Sequence, residues 1–401
     1  MAAPSPIGYV TTPGTRAGCP KVLGCLTLIL MRTALTILAI LAAITSAHAQ
    51  WTLETSKTTA DLRGIHAVGN GVAWASGTNG TVLRTEDGGY VWQSCTVPPG
   101  AEKLDFRGIQ AFDANTAIVM SSGPGDLSRL YKTTDGCHSW ELVFTNPDKD
   151  GFWDAIVARR TEGLIIGDPV NGRFVIYGST DTNLETWNRI GEKSDLKHFK
   201  FDISPYEGEG LFAASNSNLI GSPAMGVFFV TGGSKGAFFV YEIWSEHGAG
   251  GYPTFGSAKF ALPLATGKSA GAFSLACSDR TTSRPKQICI VVGGDYLQPN
   301  SPDGVAAYNS NVEKRWRPSK TPPHGYRSAV AYEPTFKTWI TVGPNGTDVS
   351  LDDGRNWRAL RPDAARHEAA DVDRNWNALS LPFVVGPHGR IGKLNESALK
   401  R

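Results

Sequence analysis

Apolar positions in this chain fall into short runs, each followed by a polar turn rich in Gly, Asn or Asp, from residue 62 to residue 394. Three stretches show the unit in full: LRGIHAVGNGVAWASGTNGTVLRTEDGGYVW (62–92), FRGIQAFDANTAIVMSSGPGDLSRLYKTTDGCHSW (106–140) and YRSAVAYEPTFKTWITVGPNGTDVSLDDGRNW (326–357). Each has an apolar segment, a polar turn, a second apolar segment ending near Gly and another turn. A third alternating segment follows, then an Asp-containing turn that leads to Trp. Period-two alternation bounded by turn residues predicts strands, and the order predicts a four-stranded antiparallel meander. Gly and Pro interrupt every run before it reaches three helical turns, so little helix is expected.

Weaker copies fill the interval at 152–187, 211–244 and 271–316, and the last copy, 367–394, stops without a fourth strand. The missing strand has a candidate at the other end, because Trp51-Thr52-Leu53-Glu54 has no partner of its own. Seven copies at a period near ~50 residues suit propeller blades. A small sheet cannot bury both faces alone, whereas sheets stacked around an axis can. The pattern therefore predicts an all-β, seven-bladed β-propeller of four-stranded antiparallel blades over residues 50–401, its ring closed by the N-terminal strand. Closure also removes an open sheet edge. Long departures from the repeat at 191–210, 245–270 and 294–305 read as loops.

The Asp-containing turn follows Ser/Thr-x-Asp-x-Gly-x-x-Trp. It is complete at Thr85, Asp87, Gly89, Trp92 and at Ser350, Asp352, Gly354, Trp357; at Thr133, Asp135, Trp140 the glycine is replaced by Cys137, and at Ser179 and Asp181 only the beginning survives before Trp187. A carboxylate so placed accepts hydrogen bonds from its own turn, Gly allows a positive φ, and Trp packs on the neighbouring blade. These residues are expected to be structural.

Composition adds three points. The formal net charge is +2, and Arg16, Lys21 and Arg32 are the only charges among the first 49 residues, so without that region Lys+Arg falls from 39 to 36 against 37 Asp+Glu. Nucleic-acid binding driven by net charge is not expected. From Met31, MRTALTILAILAAITSAHA has the layout of a secretory signal cleaved before Gln50, which makes residues 1–30 an extension ahead of the true start and the product secreted or periplasmic. The rival reading keeps residues 22–47 as a membrane anchor. No later stretch resembles a membrane span. Past the signal, Cys95, Cys137, Cys277 and Cys289 remain, an even number suited to disulfides: Cys277 and Cys289 can pair across a hairpin, while Cys95–Cys137 would bridge consecutive repeats.

The Asp turns at blade spacing, with V-G-P-x-G at 342–346 and 385–389, resemble propellers with bacterial-neuraminidase (Asp-box) repeats of the sialidase-like superfamily, and more closely the photosystem II stability and assembly factor family. The similarity covers roughly residues 51–394 and implies an extracytoplasmic seven-bladed propeller. Some Asp-box propellers are glycosidases, but the Phe-Arg-Ile-Pro opening of sialidases is absent; Phe106-Arg107-Gly108-Ile109 keeps only its first half.

Arg63, Arg107 and Arg327 occupy equivalent positions at the start of their blades, with Asp154 and Glu368 at the same point in others. Innermost strands border the central channel, so these residues are expected to form a charged ring at one mouth that receives a carboxylate or phosphate, or to neutralise one another. Asp168 and Asp295, each after a strand-end Gly, are further acidic candidates for that rim. The seven histidines past the signal (His66, His138, His198, His247, His324, His367, His388) form no metal-ligand motif, and no nucleophile elbow or phosphate loop occurs. No cofactor, metal or catalytic residue is expected. The first reading is a monomeric, non-catalytic binding, assembly or stability scaffold for an unidentified protein or glycan. The second is a glycan-active hydrolase or lyase working at the channel mouth.

Overall fold

The computed structural model describes residues 50–190, 203–222, 226–245, 254–278, 288–309, 315–362 and 368–399. The leader and anchor readings of residues 1–49 lie outside this set, as do His198, His247 and His367. The described chain is an all-β propeller of seven antiparallel blades.

Blade 1 comprises Leu62–Gly69, Val72–Gly77, Val82–Thr85 and Gln93–Ser94; blade 2 comprises Phe106–Ala111, Ala117–Ser121, Arg129–Thr133 and Glu141–Thr145. Blade 3 is Trp153–Arg159, Glu162–Val170, Arg173–Ser179 and Asn188–Arg189. Blade 4 is Leu219–Ser222, Gly226–Gly233, Ala237–Ser245 and Thr254–Leu262. Blade 5 runs Ala270–Cys277, Cys289–Asp295, Ala306–Asn309 and Arg317–Pro318, and blade 6 runs Ala329–Glu333, Thr338–Gly343, Gly346–Ser350 and Arg358–Leu360. Blade 7 is Ala378–Ser380, Phe383–Val385 and Ile391–Leu394, completed by Trp51–Glu54. Trp51 pairs with Leu394 and Glu54 with Ile391, so the two ends of the chain close the ring as the sequence predicts.

Each hydrophobic cluster joins two consecutive blades. Trp74 and Val82 of blade 1 pack with Phe106, Ile109 and Val119 of blade 2; the last cluster sets Phe383, Val385 and Ile391 of blade 7 against Leu62, Leu83 and Trp92 of blade 1. Pleat alternation explains why the second strands are apolar without a break. Val119 faces blade 1 while Ile118 and Met120 face blade 3, so both sides of the strand are covered.

Blade 4 differs from expectation. Residues 254–262 form its outer strand and pair along their length with Ala237–Ser245, whereas the sequence suggests a loop over 245–270. The last blade also differs: its inner strand begins at Ala378, so Glu368 lies ten residues ahead of the inner strand. Asn377 takes the place expected of Glu368, and its Nδ2 donates to Leu62 O at 2.8 Å across the blade 7–blade 1 junction.

The Asp turns lie between third and fourth strands. Thr85 Oγ1 donates to Asp87 Oδ1 at 2.8 Å and accepts from Gly89 N at 3.0 Å, while Val91 N donates to Asp87 Oδ1 at 3.0 Å. Ser350 and Asp352 repeat this pattern with Gly354 N and Asn356 N. The lengthened turn closes similarly, with Glu185 N and Thr186 N donating to Asp181. Cys137 sits at φ 65° where the other turns use Gly, and is bonded to Cys95 of the preceding blade. Cys277 and Cys289, directly opposite each other in blade 5, form the second disulfide. Among the described residues no helix is long and apolar enough to cross a membrane.

Candidate functional site

An antiparallel meander puts its second-to-third-strand turns and its connections to the next blade on one face, and its Asp turns on the other. The candidate residues lie on the first of these faces, and β-bulges explain how several reach it. The inner strands of blades 1, 2, 3 and 5 slip register at the same point, between Leu62 and Gly64, Phe106 and Gly108, Trp153 and Ala155, and Ala272 and Ser274. The extra residue is Arg63, Arg107, Asp154 or Phe273. A bulge releases its residue from pleat alternation, so a charged side chain need not enter an inter-blade core. Close packing follows it: a Cβ on Gly108 would stand 2.8 Å from Ile156 Cγ2.

The charges meet in a row across blades 1 to 3. Asp105 Oδ2 accepts from Arg107 Nε at 2.8 Å, and its Oδ1 lies 3.7 Å from Arg63 Nε, an ion pair without a hydrogen bond. Arg107 Nη1 also donates to Ala213 O at 3.0 Å. Asp154 is 1% exposed and its Oδ2 has no hydrogen-bond partner. Burial pushes its carboxyl well above the ordinary range, Asp168 adds to the shift, and Arg107 opposes it. Burial also raises Asp168, against the hydrogen bond from Leu211 N at 2.9 Å.

Aromatic groups complete the mouth. Phe212 stacks on Phe273 with centroids 4.0 Å apart, Phe273 meets Tyr326 edge-on at 4.8 Å, and Tyr296 approaches both phenylalanines. Burial pushes the Tyr326 phenol up, with Tyr296 acting in the same sense and the Arg63 charge in the opposite one. Beyond Asp168 and Phe212 a cleft of about 690 Å³ opens between blades 3 and 4.

Three expected members of the ring do not join this row. Arg327 is fully buried in blade 6, because its inner strand lacks the bulge and Asp348 waits on the third strand: Arg327 Nε donates to Asp348 Oδ2 at 2.9 Å and Nη2 also contacts that carboxylate. His324 Nδ1 lies 2.9 Å from Asp348 Oδ1. Asp295 caps its own turn, accepting from Leu297 N at 3.0 Å and Gln298 Nε2 at 3.2 Å. Glu368 does not begin a blade, as described above. Asp105, missed in the sequence, was signalled by Asp-x-Arg-Gly-Ile recurring at 61–65 and 105–109. Phe212, Phe273 and Tyr326 carried no signal separating them from core aromatics. Among the described residues no cluster of His, Cys, Asp and Glu could hold a metal ion.

A closed seven-bladed ring, Asp turns on one face and a charged, aromatic mouth on the other define the class: a seven-bladed β-propeller closed by its own N-terminal strand. No protein-family model matches the chain, and no curated protein matches it. Among solved structures it is similar to YCF48 bound to D1 peptide, at 18% identity over 86% of this chain and 97% of that one, TM-score 0.53. It is similar also to YCF48 from Cyanidioschyzon merolae, at 16% identity over 87% and 99%, TM-score 0.55. The WD40 β-propeller domain of Doa1 aligns at 10% identity over 88% and 99%, TM-score 0.50. At these identities the likeness is one of fold.

Proposed function

We propose that this protein is a non-catalytic scaffold that binds a polypeptide partner at the channel-mouth face, in an assembly or stabilising role. The observation that carries this reading is the mouth itself: four bulged inner strands send Arg63, Arg107, Asp154 and Phe273 to one face, where most of the charge is paired internally. Asp105 and Ala213 O engage Nε and Nη1 of Arg107, which suits recognition by shape and selected contacts better than proton transfer. A solved structure of similar fold is described as bound to a peptide, which agrees with this reading. Export through residues 31–49 belongs to the same proposal, since the Cys95–Cys137 and Cys277–Cys289 disulfides suit an oxidising compartment. Sequencing of the mature protein is expected to start at Gln50.

The test is site-specific photocrosslinking in the native host. A photoreactive residue at Tyr296, 47% exposed at the mouth, is expected to capture one polypeptide partner; the same residue at Tyr90, 88% exposed in an Asp turn on the opposite face, is expected to capture none. Equal capture from Tyr90, or none from Tyr296, would overturn the assignment.

A further inference from the structure

Blade 4 leaves its own ladder at the point where four other blades bulge. Glu209 and Gly210 pair with Gly233 and Gly232, and the ladder resumes at Leu219, opposite Phe229. Eight residues, 211–218, therefore stand opposite two, Val230 and Thr231, an excess of six where blades 1, 2, 3 and 5 carry an excess of one. A single extra residue kinks a strand, whereas six make a loop.

The loop runs inward. Blade 4 packs beside blades 3 and 5, yet this segment bonds to four blades. Asn216 Oδ1 accepts from Ile156 N of blade 3 at 2.8 Å, and its Nδ2 donates to Ile156 O at 3.0 Å. Leu275 N of blade 5 donates to Ser217 O at 2.8 Å. Ala213 O accepts from Arg107 of blade 2, and Ser215 Oγ donates at 2.7 Å to Ser328 O, at the start of blade 6. A segment that reaches both blade 2 and blade 6 from blade 4 lies across the channel. Asn216 turns the loop at φ 60°, a conformation that asparagine tolerates.

Hydroxyl groups and close packing hold it there. Ser274 Oγ accepts from Val330 N at 3.0 Å and lies 2.7 Å from Ser217 Oγ, which lies 2.6 Å from Ser215 Oγ. With Ser215 committed to Ser328 O, the chain runs one way: Ser274 donates to Ser217, and Ser217 to Ser215. Phe212 lies against Gly232 and Gly271, where an added Cβ would stand 2.6 and 3.1 Å from its Cε2. Ala213 and Ser215 are buried. We infer that residues 211–217 are a fixed plug: the chain closes its own channel, and Phe212 and Arg107 are held as parts of a floor. The inference rests on the reading of this face as a polypeptide-binding scaffold and states how the partner binds. The partner lies across the floor while the plug stays in place, and no segment of it is threaded into the channel.

The experiment combines Ser217→Cys with Ser274→Cys in the full chain. The two hydroxyls already meet, so the double variant is expected to form a disulfide in air that staples the plug to blade 5, identified by mass spectrometry of the linked peptides. Capture from a photoreactive residue at Tyr296 is expected to match that of the two single variants, because binding does not displace the plug. In the parent, hydrogen exchange is expected to be slow at the Ile156 and Leu275 amides. It is expected to be about 10-fold faster at Ile156 in Asn216→Ala, the scale of one lost hydrogen bond. A cysteine pair that stays reduced, or amides that exchange at the rate of an unfolded peptide, would overturn the placement of the plug. Capture abolished by the staple would overturn its fixity and make it a gate. No capture from the parent sinks the scaffold reading alone, since the staple and the exchange rates still decide the plug.

Discussion

The indole of Trp51 donates from Nε1 to Thr347 Oγ1 at 3.0 Å, across 296 residues of chain. Thr347 lies on the third strand of blade 6 and passes the hydrogen bond on to Asp373 O at 2.8 Å. The Trp51 ring also sits 6.0 Å from that of Trp376, inside the core between blades 6 and 7. At the other end of the same strand, Glu54 accepts from Trp92 Nε1 of blade 1 at 3.2 Å. Four residues thus complete blade 7 and tie it to both neighbours.

Trp51→Ala is accordingly expected to cost about 3–5 kcal/mol, the range for removing a buried aromatic ring. Thr347→Val is expected to cost about 1–3 kcal/mol by leaving the indole N–H unpaired. Urea unfolding midpoints check both. Deleting residues 50–54 bares the Ile391–Leu394 edge, so self-association at micromolar concentration is expected by light scattering.

The junction of blades 1 and 2 depends on a cysteine in a glycine's place. Cys137 takes φ 65°, and its bond to Cys95 spans 42 residues. Opening a link of that size is expected to cost about 4 kcal/mol on chain-entropy grounds. With Cys95→Ser as the common background, Cys137→Gly is expected to be about 1 kcal/mol more stable than Cys137→Ala, since only glycine accepts the left-handed backbone freely. Thermal unfolding of the two double variants is the comparison. The opposite order would show that burial of the Cβ outweighs the backbone.

Much of this architecture was legible because it repeats. Alternation, Asp turns and the unpartnered Trp51–Glu54 segment fixed blades and closure before any coordinate was needed. The outer strand of blade 4 was hidden because TFGSAKFAL follows a Gly-rich stretch and no Asp turn introduces it. The site was half legible. Arg327 occupies the same repeat position as Arg63 and Arg107, but whether it reaches the mouth depends on a bulge and on Asp348 two strands away, and neither shows in local spacing. Phe212 and Phe273 are apolar residues in apolar segments; only their stacking at the mouth separates them from core.

The buried Arg327–Asp348 pair makes an acid-side claim. Burial alone would raise the Asp348 carboxyl, but the His324 hydrogen bond and the Arg327 charge hold it below its ordinary value. A folded pKa below the unfolded one contributes stability that is present above the unfolded pKa, about 3.9, and lost as pH falls through the folded value. Asp348→Asn leaves a buried guanidinium without its counterion and is expected to cost about 3–5 kcal/mol at neutral pH. The stability gap from the parent is expected to narrow below pH 4, measured by urea denaturation.

Asp154 makes the opposite claim. Its carboxyl is raised by burial and by Asp168, and Arg107, itself shared with Asp105 near Arg63, only partly offsets this. A folded pKa above the unfolded one means that the native state holds the proton more tightly. Stability therefore falls as pH rises from about 4 through the folded value, and the penalty is complete above it. Asp154→Asn removes the charge and keeps the shape, so it is expected to be more stable than the parent by about 1–3 kcal/mol at pH 8 and no more stable at pH 4. Urea midpoints at the two pH values decide it. A variant less stable than the parent at pH 8 would mean that the Arg107 charge already compensates Asp154 in the unliganded protein.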